Sequence, residues 1–361
     1  MKILQLTNHL NIGGITRYIY TLSKYLLKEG IEVGVASRGG SEEKKFEKLG
    51  AKIFKLPLTT KNELSFKSLL CLFKLLKIKK KEFNFDLIHS HTRLTQFIAQ
   101  NFMIFFNTPH VTTFHGFYEK NKRRIFRKIF KCAGRIAIAI TPQTKDELIR
   151  FFKVRKERIK VIVNGIDLEE FSPHNVQPLE LEGDPKIGSC GRLSRVKGYE
   201  YLLKGFKLLL DKYPSAKLYL LGEGKDESRL LNLASQLNIQ KNFEILKGLD
   251  VKRFLKSLDV FCYPSIEEPF GLAVLEAQSL GVPCVVSKVG GLKYLVKDKI
   301  TGQVVEPACA EKIFEAIDFI LSNKDLKESM SIEAQKFVRE NFDFSKKISE
   351  FIKVYREVLK D

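Results

Sequence analysis

The chain of 361 residues has no paired cysteines, no cluster of metal ligands and no apolar run long enough to cross a bilayer. Each gap removes a class of protein. The six cysteines, Cys71, Cys132, Cys190, Cys262, Cys284 and Cys309, are scattered and form no C-x-x-C pair. Several sit inside apolar, strand-like runs, so they read as reduced core residues and not as a disulfide frame or a zinc site. The six histidines are dispersed too, and no Asp-x-Asp pair stands ready to hold a cation. Metal-independent chemistry is therefore expected. The longest apolar stretches, such as 97–106, fall short of the ~20 residues that a spanning helix needs. The opening MKILQLT reads as a first strand and not as a signal peptide, which predicts a cytoplasmic protein, soluble or held at a membrane surface. No G-x-G-x-x-G follows a strand, so a nicotinamide cofactor is not implied. Repeats and low-complexity tracts are also missing.

Acidic residues are scarce in the first half alone. Residues 1–170 hold 33 Lys and Arg against 15 Asp and Glu, a balance of +18, whereas residues 171–361 hold 29 against 27, a balance of +2. A basic half joined to a nearly neutral one implies that one lobe faces a polyanion. Nucleic acid, an anionic membrane and an acidic acceptor such as a lipid-linked phosphosugar all qualify. Two segments, 66–81 (FKSLLCLFKLLKIKKK) and 122–131 (KRRIFRKIFK), gather apolar residues on one helical face and cations on the rest. Such helices can lie on anionic lipid, although an apolar stripe of this kind also packs on a sheet. No RNA-binding signature or stacking-aromatic motif accompanies the charge, so nucleic acid is not the expected partner.

Strand-like and helical runs alternate from end to end. Strands are predicted at 2–7, 32–37, 52–56, 86–90, 110–114, 135–141 and 161–163, then at 186–190, 217–221, 243–246, 260–263, 283–287 and 303–305. This is an α/β pattern of two doubly wound parallel sheets with helices on both faces. A stretch rich in Pro, Glu and Gly separates them. The expected domains are 1–171 and 186–340, with a linker at 172–185 and a terminal helix at 341–361. Two such lobes would offer the C-terminal edges of their sheets to a shared cleft, one for an acceptor and one for a nucleotide.

The most informative segment is YPSIEEPFGLAVLEAQSLGVPCVVSKVGG, residues 263–291. Glu268 and Glu276 stand on either side of seven residues. A helix starting at Gly271 puts Glu268 on the loop at its mouth and Glu276 more than one turn inside, so both carboxylates can face one crevice. The free N–H groups of Gly271 and Leu272 suit a phosphate. Upstream, Gly191-Arg192-Leu193-Ser194-Arg195-Val196-Lys197-Gly198 follows a strand. A forked guanidinium at Arg192 and a point charge at Lys197 can there stabilise a departing diphosphate without a metal. Arg195 and Lys247 are basic neighbours with weaker claims.

These motifs resemble the nucleotide-sugar-dependent glycosyltransferases of the GT-B fold, specifically the large retaining family four. The match runs through Pro264, Ser265, Glu268, Phe270, Gly271, Leu275, Glu276, Ala277, Gly281 and Pro283, and through Gly191, Arg192, Leu193, Lys197 and Gly198. The resemblance implies that Glu276 holds the ribose hydroxyls of a UDP- or GDP-sugar while Glu268 contacts the transferred sugar. It implies too that Gly13-Gly14, between the first strand and its helix, brings Gly14 against the diphosphate and sugar, and that His115 lies near the sugar. His115, Arg192, Lys197 and Glu268 are thus the candidate catalytic residues. Gly14, Gly271, Leu272 and Glu276, with Arg192 and Lys197, are the candidate donor ligands. His9, His89, His91, the Gly222-Glu223-Gly224 turn and Gly248-Leu249 carry weaker assignments, and Asn164-Gly165-Ile166-Asp167 matches a structural hinge. The implied activity is a retaining transfer to a saccharide or lipid-linked acceptor in envelope polysaccharide or lipopolysaccharide synthesis, at the inner face of the cytoplasmic membrane. The terminal helix is expected to cross back onto the first domain. The rivals are a nucleotide-sugar epimerase of the same fold and, from another class, a basic nucleic-acid-binding protein.

Overall fold

A computed structural model describes residues 1–58, 63, 65–116 and 132–360. The basic segment 122–131 lies outside the described residues. The chain divides into two compact units, residues 1–164 with 344–361 and residues 165–343.

The first unit holds a seven-stranded parallel sheet in the order β3-β2-β1-β4-β5-β6-β7. Its strands are β1 (Lys2–Leu6), β2 (Glu32–Ser37), β3 (Lys52–Lys55), β4 (Leu87–Ser90), β5 (His110–Phe114), β6 (Ile136–Ala139) and β7 (Ile159–Val161). The central strands are buried on both faces, as parallel strands are, although β4 and β5 bury His89, Ser90, His110, Thr112 and Thr113 among their apolar residues. β7 lies two residues before the segment 161–163 that the sequence suggests. Its register is set by Ala137–Ala139 of β6, and Arg158 anchors its start by donating to the Arg135 carbonyl. The charged Arg158 and Lys160 of this edge strand conceal the strand from an apolar pattern.

The segment 66–81 is a helix only over Phe66–Lys77, after which Ile78–Glu82 widens into a π turn. The Phe83 N–H reaches back to the Ile78 carbonyl, and Lys79 Nζ donates to the Phe85 carbonyl. The terminal helix Ile348–Lys360 belongs to this first unit, as expected. Its buried stripe, Ile348, Phe351, Val354, Tyr355 and Val358, follows the period of an amphipathic helix. Arg135 donates to the Val358 carbonyl at 2.7 Å and the Tyr355 hydroxyl meets His89 Nδ1 at 2.7 Å.

The second unit holds a six-stranded parallel sheet in the order β10-β9-β8-β11-β12-β13. The strands are β8 (Lys186–Cys190), β9 (Lys217–Leu221), β10 (Phe243–Leu246), β11 (Val260–Tyr263), β12 (Cys284–Ser287) and β13 (Gly302–Val305). Residues 165–171 fall in this unit. Ile166 N–H bonds to the Phe342 carbonyl, and the Ser279 hydroxyl to the Phe171 carbonyl. Asp167 Oδ1 accepts from the N–H groups of Glu169 and Glu170, which makes the Asn164–Asp167 motif a capped turn at the unit boundary.

Strand order reverses direction between β1 and β4 in the first sheet, and between β8 and β11 in the second. Open α/β sheets bind ligands at such a switch point, beyond the carboxyl ends of the strands. The loops after β1, β4, β8 and β11 carry Gly13-Gly14, His91, Gly191–Gly198 and Pro264–Gly271 at these switch points, whereas His115 follows β5.

Candidate active site

In the second unit three loops are stitched into one floor. The loop after β8 lies against that after β9, with Leu193 N–H bonded to the Glu223 carbonyl at 2.9 Å and Asp226 N–H to the Leu193 carbonyl at 3.3 Å. It also lies against the loop after β11, through Ile266 N–H to the Val196 carbonyl at 2.8 Å. Gly198 has a left-handed φ of 66°, and a Cβ there would collide with the Pro264 carbonyl. Only glycine closes the two loops this tightly.

On this floor Lys197 Nζ donates to Glu268 Oε2 at 2.6 Å and to the Tyr263 hydroxyl at 2.5 Å, and it lies 4.6 Å from the centre of the Tyr263 ring. The Lys197 and Glu268 side chains are only 14% and 11% exposed. Opposite charges this sheltered from water attract more strongly than a surface pair, and each needs the other to offset its lost hydration. Glu268 is fixed from its backbone as well, since its carbonyl accepts from Gly291 N–H at 3.1 Å. Tyr263 is the partner that the sequence reading passed over. Its signal is its place as the last residue of β11, directly before Pro264.

Gly271 (φ 108°) caps the helix Leu272–Ser279. A Cβ on it would strike the Leu292 side chain, so the glycine is required where the chain turns into the helix. Leu272 is half-buried at the first turn. Glu276 points inward and is 5% exposed, a costly place for a carboxylate unless it is bonded. Arg192 is exposed on the loop after β8 and forms no hydrogen bond or ion pair among the described residues. Of the weaker candidates, Arg195 is exposed. Lys247 is paired with Glu227 at 2.6 Å. Leu249 is 39% exposed beside Gly248.

The structure thus brings Lys197, Glu268, Gly271 and Tyr263 into one cluster, with Arg192 on the same loop as Lys197. Gly14 and His115 belong to the other unit. Gly13 and Gly14 are exposed, and none of the described residues lies within 4 Å of where a Cβ would stand on either.

His115 follows β5 and is half-buried. Its Nε2 is 3.2 Å from His91 Nδ1, and the Tyr18 ring meets it edge-on at 4.7 Å. His91 Nε2 is 2.6 Å from Gln5 Oε1. A second strand of the network joins His89 to Tyr355 and to Thr113, each at 2.7 Å. Burial pushes the imidazoles of His89 and His91 well below the usual range and those of His110 and His115 down to about 3. All four rings are therefore neutral at physiological pH. His9 instead accepts from the Asn11 N–H on the loop after β1. Among the described residues no group of three or more His, Cys, Asp or Glu is placed to hold a metal.

Two family models match the chain. The model for glycosyltransferase family 4 covers residues 12–170, and that for glycosyl transferases group 1 covers residues 172–337. The chain is a GT-B glycosyltransferase. It is 28% identical to an uncharacterised glycosyltransferase of Methanocaldococcus jannaschii, over 96% of this chain and 94% of that one. A UDP-Gal:alpha-D-GlcNAc-diphosphoundecaprenol alpha-1,3-galactosyltransferase of Escherichia coli is 29% identical over 81% of this glycosyltransferase and 80% of its own length. The fold is shared with Anabaena HepE, solved with UDP and glucose, at a TM-score of 0.83 and 19% identity, over 99% of this chain and all of that one.

Proposed function

We propose that this glycosyltransferase moves a sugar from a UDP- or GDP-sugar to a saccharide or lipid-linked acceptor, with retention of anomeric configuration and without a metal. The observation that carries the reading is the Lys197–Glu268–Tyr263 cluster beside the helix mouth at Gly271. It offers a sheltered cation and free helix N–H groups for a diphosphate, next to carboxylates for hydroxyls. The E. coli relative acts on a UDP-sugar and a diphosphoundecaprenol-linked sugar, which supports both the donor class and a lipid-linked acceptor in envelope polysaccharide synthesis.

In this reading the acceptor hydroxyl attacks the sugar C1 on the face from which the diphosphate leaves. The C1–O bond to the β-phosphate breaks as the new C1–O bond forms, and the departing phosphate oxygen takes the acceptor proton. Lys197, Arg192 and the N–H groups of Gly271 and Leu272 stabilise the growing negative charge. Glu276 holds the ribose and Glu268 orients the sugar, and Gly14 and His115 are further proposed sugar contacts. Positioning and charge supply the catalysis, so no protein nucleophile is needed.

The partner surface is an anionic membrane, and the workplace its cytoplasmic face. No described helix is long and apolar enough to span a bilayer. The helix Phe66–Lys77 buries Ser68, Cys71 and Leu75 yet leaves Phe66 73% and Phe73 61% exposed on a lysine-rich element. Exposed aromatic residues among cations suit an interface between lipid tails and headgroups.

The test is transfer itself. Incubated with a panel of UDP-, GDP- and ADP-sugars, lipid-linked acceptors and EDTA, the enzyme should form an α-linked product from one α-linked donor. A β-linked product, or activity that returns only with manganese, overturns the stereochemical or the metal-free part.

A further inference from the structure

Gln5, His91 and His115 come from three neighbouring strands of the first sheet and form a single line of hydrogen bonds. Gln5 lies within β1, His91 directly after β4 and His115 directly after β5. The links are Gln5 Oε1 to His91 Nε2 at 2.6 Å and His91 Nδ1 to His115 Nε2 at 3.2 Å. Gln5 and His91 are 0% and 2% exposed, so water does not compete for either. Burial keeps both imidazoles neutral, and each then carries one proton on one nitrogen.

With the Gln5 amide oxygen facing His91, these facts leave a single distribution of protons. An amide oxygen only accepts, so His91 carries its proton on Nε2. Its Nδ1 is then an acceptor, and His115 donates to it from Nε2. The remaining nitrogen of His115, Nδ1, keeps its lone pair and has no partner among the described residues.

We infer that Gln5 and His91 are positioning residues, which hold His115 as the Nε2–H tautomer and present its Nδ1 as an acceptor for a hydroxyl of the sugar or acceptor substrate. The inference rests on the reading that His115 borders the substrate. The edge-on Tyr18 ring at 4.7 Å limits rotation of the imidazole, and the His89 ring, 4.4 Å from that of His91, packs on the relay. A neighbour that fixes the tautomer through the other ring nitrogen decides whether a histidine offers a donor or an acceptor. The Tyr355 hydroxyl, which bonds His89, also acts on the Gln5 amide. Turning the amide over would reverse each bond, which places the His115 proton on Nδ1. The two orientations therefore predict opposite tautomers.

Imidazole nitrogen NMR on the full-length, 15N-histidine-labelled protein near neutral pH decides between them. The wild type should show the proton of both His91 and His115 on Nε2, with a 15N–15N coupling across the His115–His91 hydrogen bond. Gln5→Glu keeps the accepting oxygen and should keep that pattern. Gln5→Leu removes it and should leave His115 in mixed tautomers, with kcat about tenfold lower and the donor KM unchanged. A His115 proton on Nδ1 in the wild type overturns the inference, and so does an unmixed wild-type pattern in Gln5→Leu. If Gln5→Leu does not fold, the wild-type coupling and the Gln5→Glu pattern decide alone, and loss of the Nε2 proton in Gln5→Glu overturns it. A changed tautomer with unchanged turnover overturns instead the reading that His115 serves the reaction.

Discussion

Lys197 is already paired before any donor arrives. Glu268 and Tyr263 hold its ammonium at hydrogen-bonding distance, so in the proposed function its charge is aimed in advance and little reorganisation would remain on binding a diphosphate. Lys197→Ala and Glu276→Ala should each lower transfer by ~2–4 kcal/mol of transition-state stabilisation, roughly 30- to 1000-fold. Lys197→Ala also leaves Glu268 sheltered and unpaired, at a cost of ~1–3 kcal/mol in stability. Circular dichroism must therefore show folded protein first; turnover like wild type in both folded variants contradicts the assignment. The four buried histidines bring a pH dependence with a definite sign. An unfolded chain protonates them near pH ~6.5, while the folded one refuses the proton down to about 3 at His110 and His115. Stability is thus fully present above ~6.5 and drains away as pH falls below it, by up to ~1.4 kcal/mol per pH unit for each group. The urea midpoint should be clearly lower at about pH 5 than at about pH 7.5; equal midpoints would mean that these rings charge freely in the fold. Motif spacing and the family resemblance pointed to Glu268, Gly271 and Lys197, which the fold brings into one cluster. Tyr263 and the Gln5–His91 relay were not, because their partners are 66, 86 and 24 residues away in sequence and only the sheet order brings them together.

Elements were legible where burial is two-sided, as in β4, β5, β8 and β11, whose residues are all buried or nearly so. The edge strand β7 was displaced because Arg158 and Lys160 interrupt its pattern. The 66–81 segment ended early because the Phe83 bond to Ile78 opens a wider turn. That helix has two faces at once, and the sequence could not say which would win. Cys71 and Leu75 join the core, while Phe66, Leu69, Leu70 and Phe73 remain exposed. At the end of the helix Arg93–Phe106, Ile104 and Phe105 are 65% and 66% exposed as well. Each basic residue near an anionic surface contributes ~1 kcal/mol, and inserted aromatics add apolar burial. The protein should sediment with anionic liposomes at low salt and be released at high salt. Phe66→Ser with Phe73→Ser, or Lys67→Glu with Lys74→Glu, should weaken that binding while transfer to a soluble acceptor stays near normal. Wild type that ignores anionic liposomes rules the membrane out as the partner.

At the scale of the whole molecule the chain repeats one plan, a parallel sheet whose strand order reverses beside its first strand, and then returns its last helix to the first unit. The repetition was visible as β-α alternation because parallel strands and crossover helices carry different periods. The reversal points were not, since strand order is a long-range property. Charge divides along the same lines, with the basic excess in the first half and the proposed donor-binding motifs in the nearly neutral second. The central claim is that Lys197 and Glu276 of the second unit hold a nucleoside diphosphate. Calorimetric titration of UDP and GDP into the wild type, Lys197→Ala and Glu276→Ala tests it most directly. One nucleotide should bind the wild type, and each substitution should weaken that binding at least about tenfold, the ~1.4 kcal/mol expected from loss of one charge-assisted contact. Equal affinity in all three folded proteins, or no binding of either nucleotide to the wild type, would contradict it.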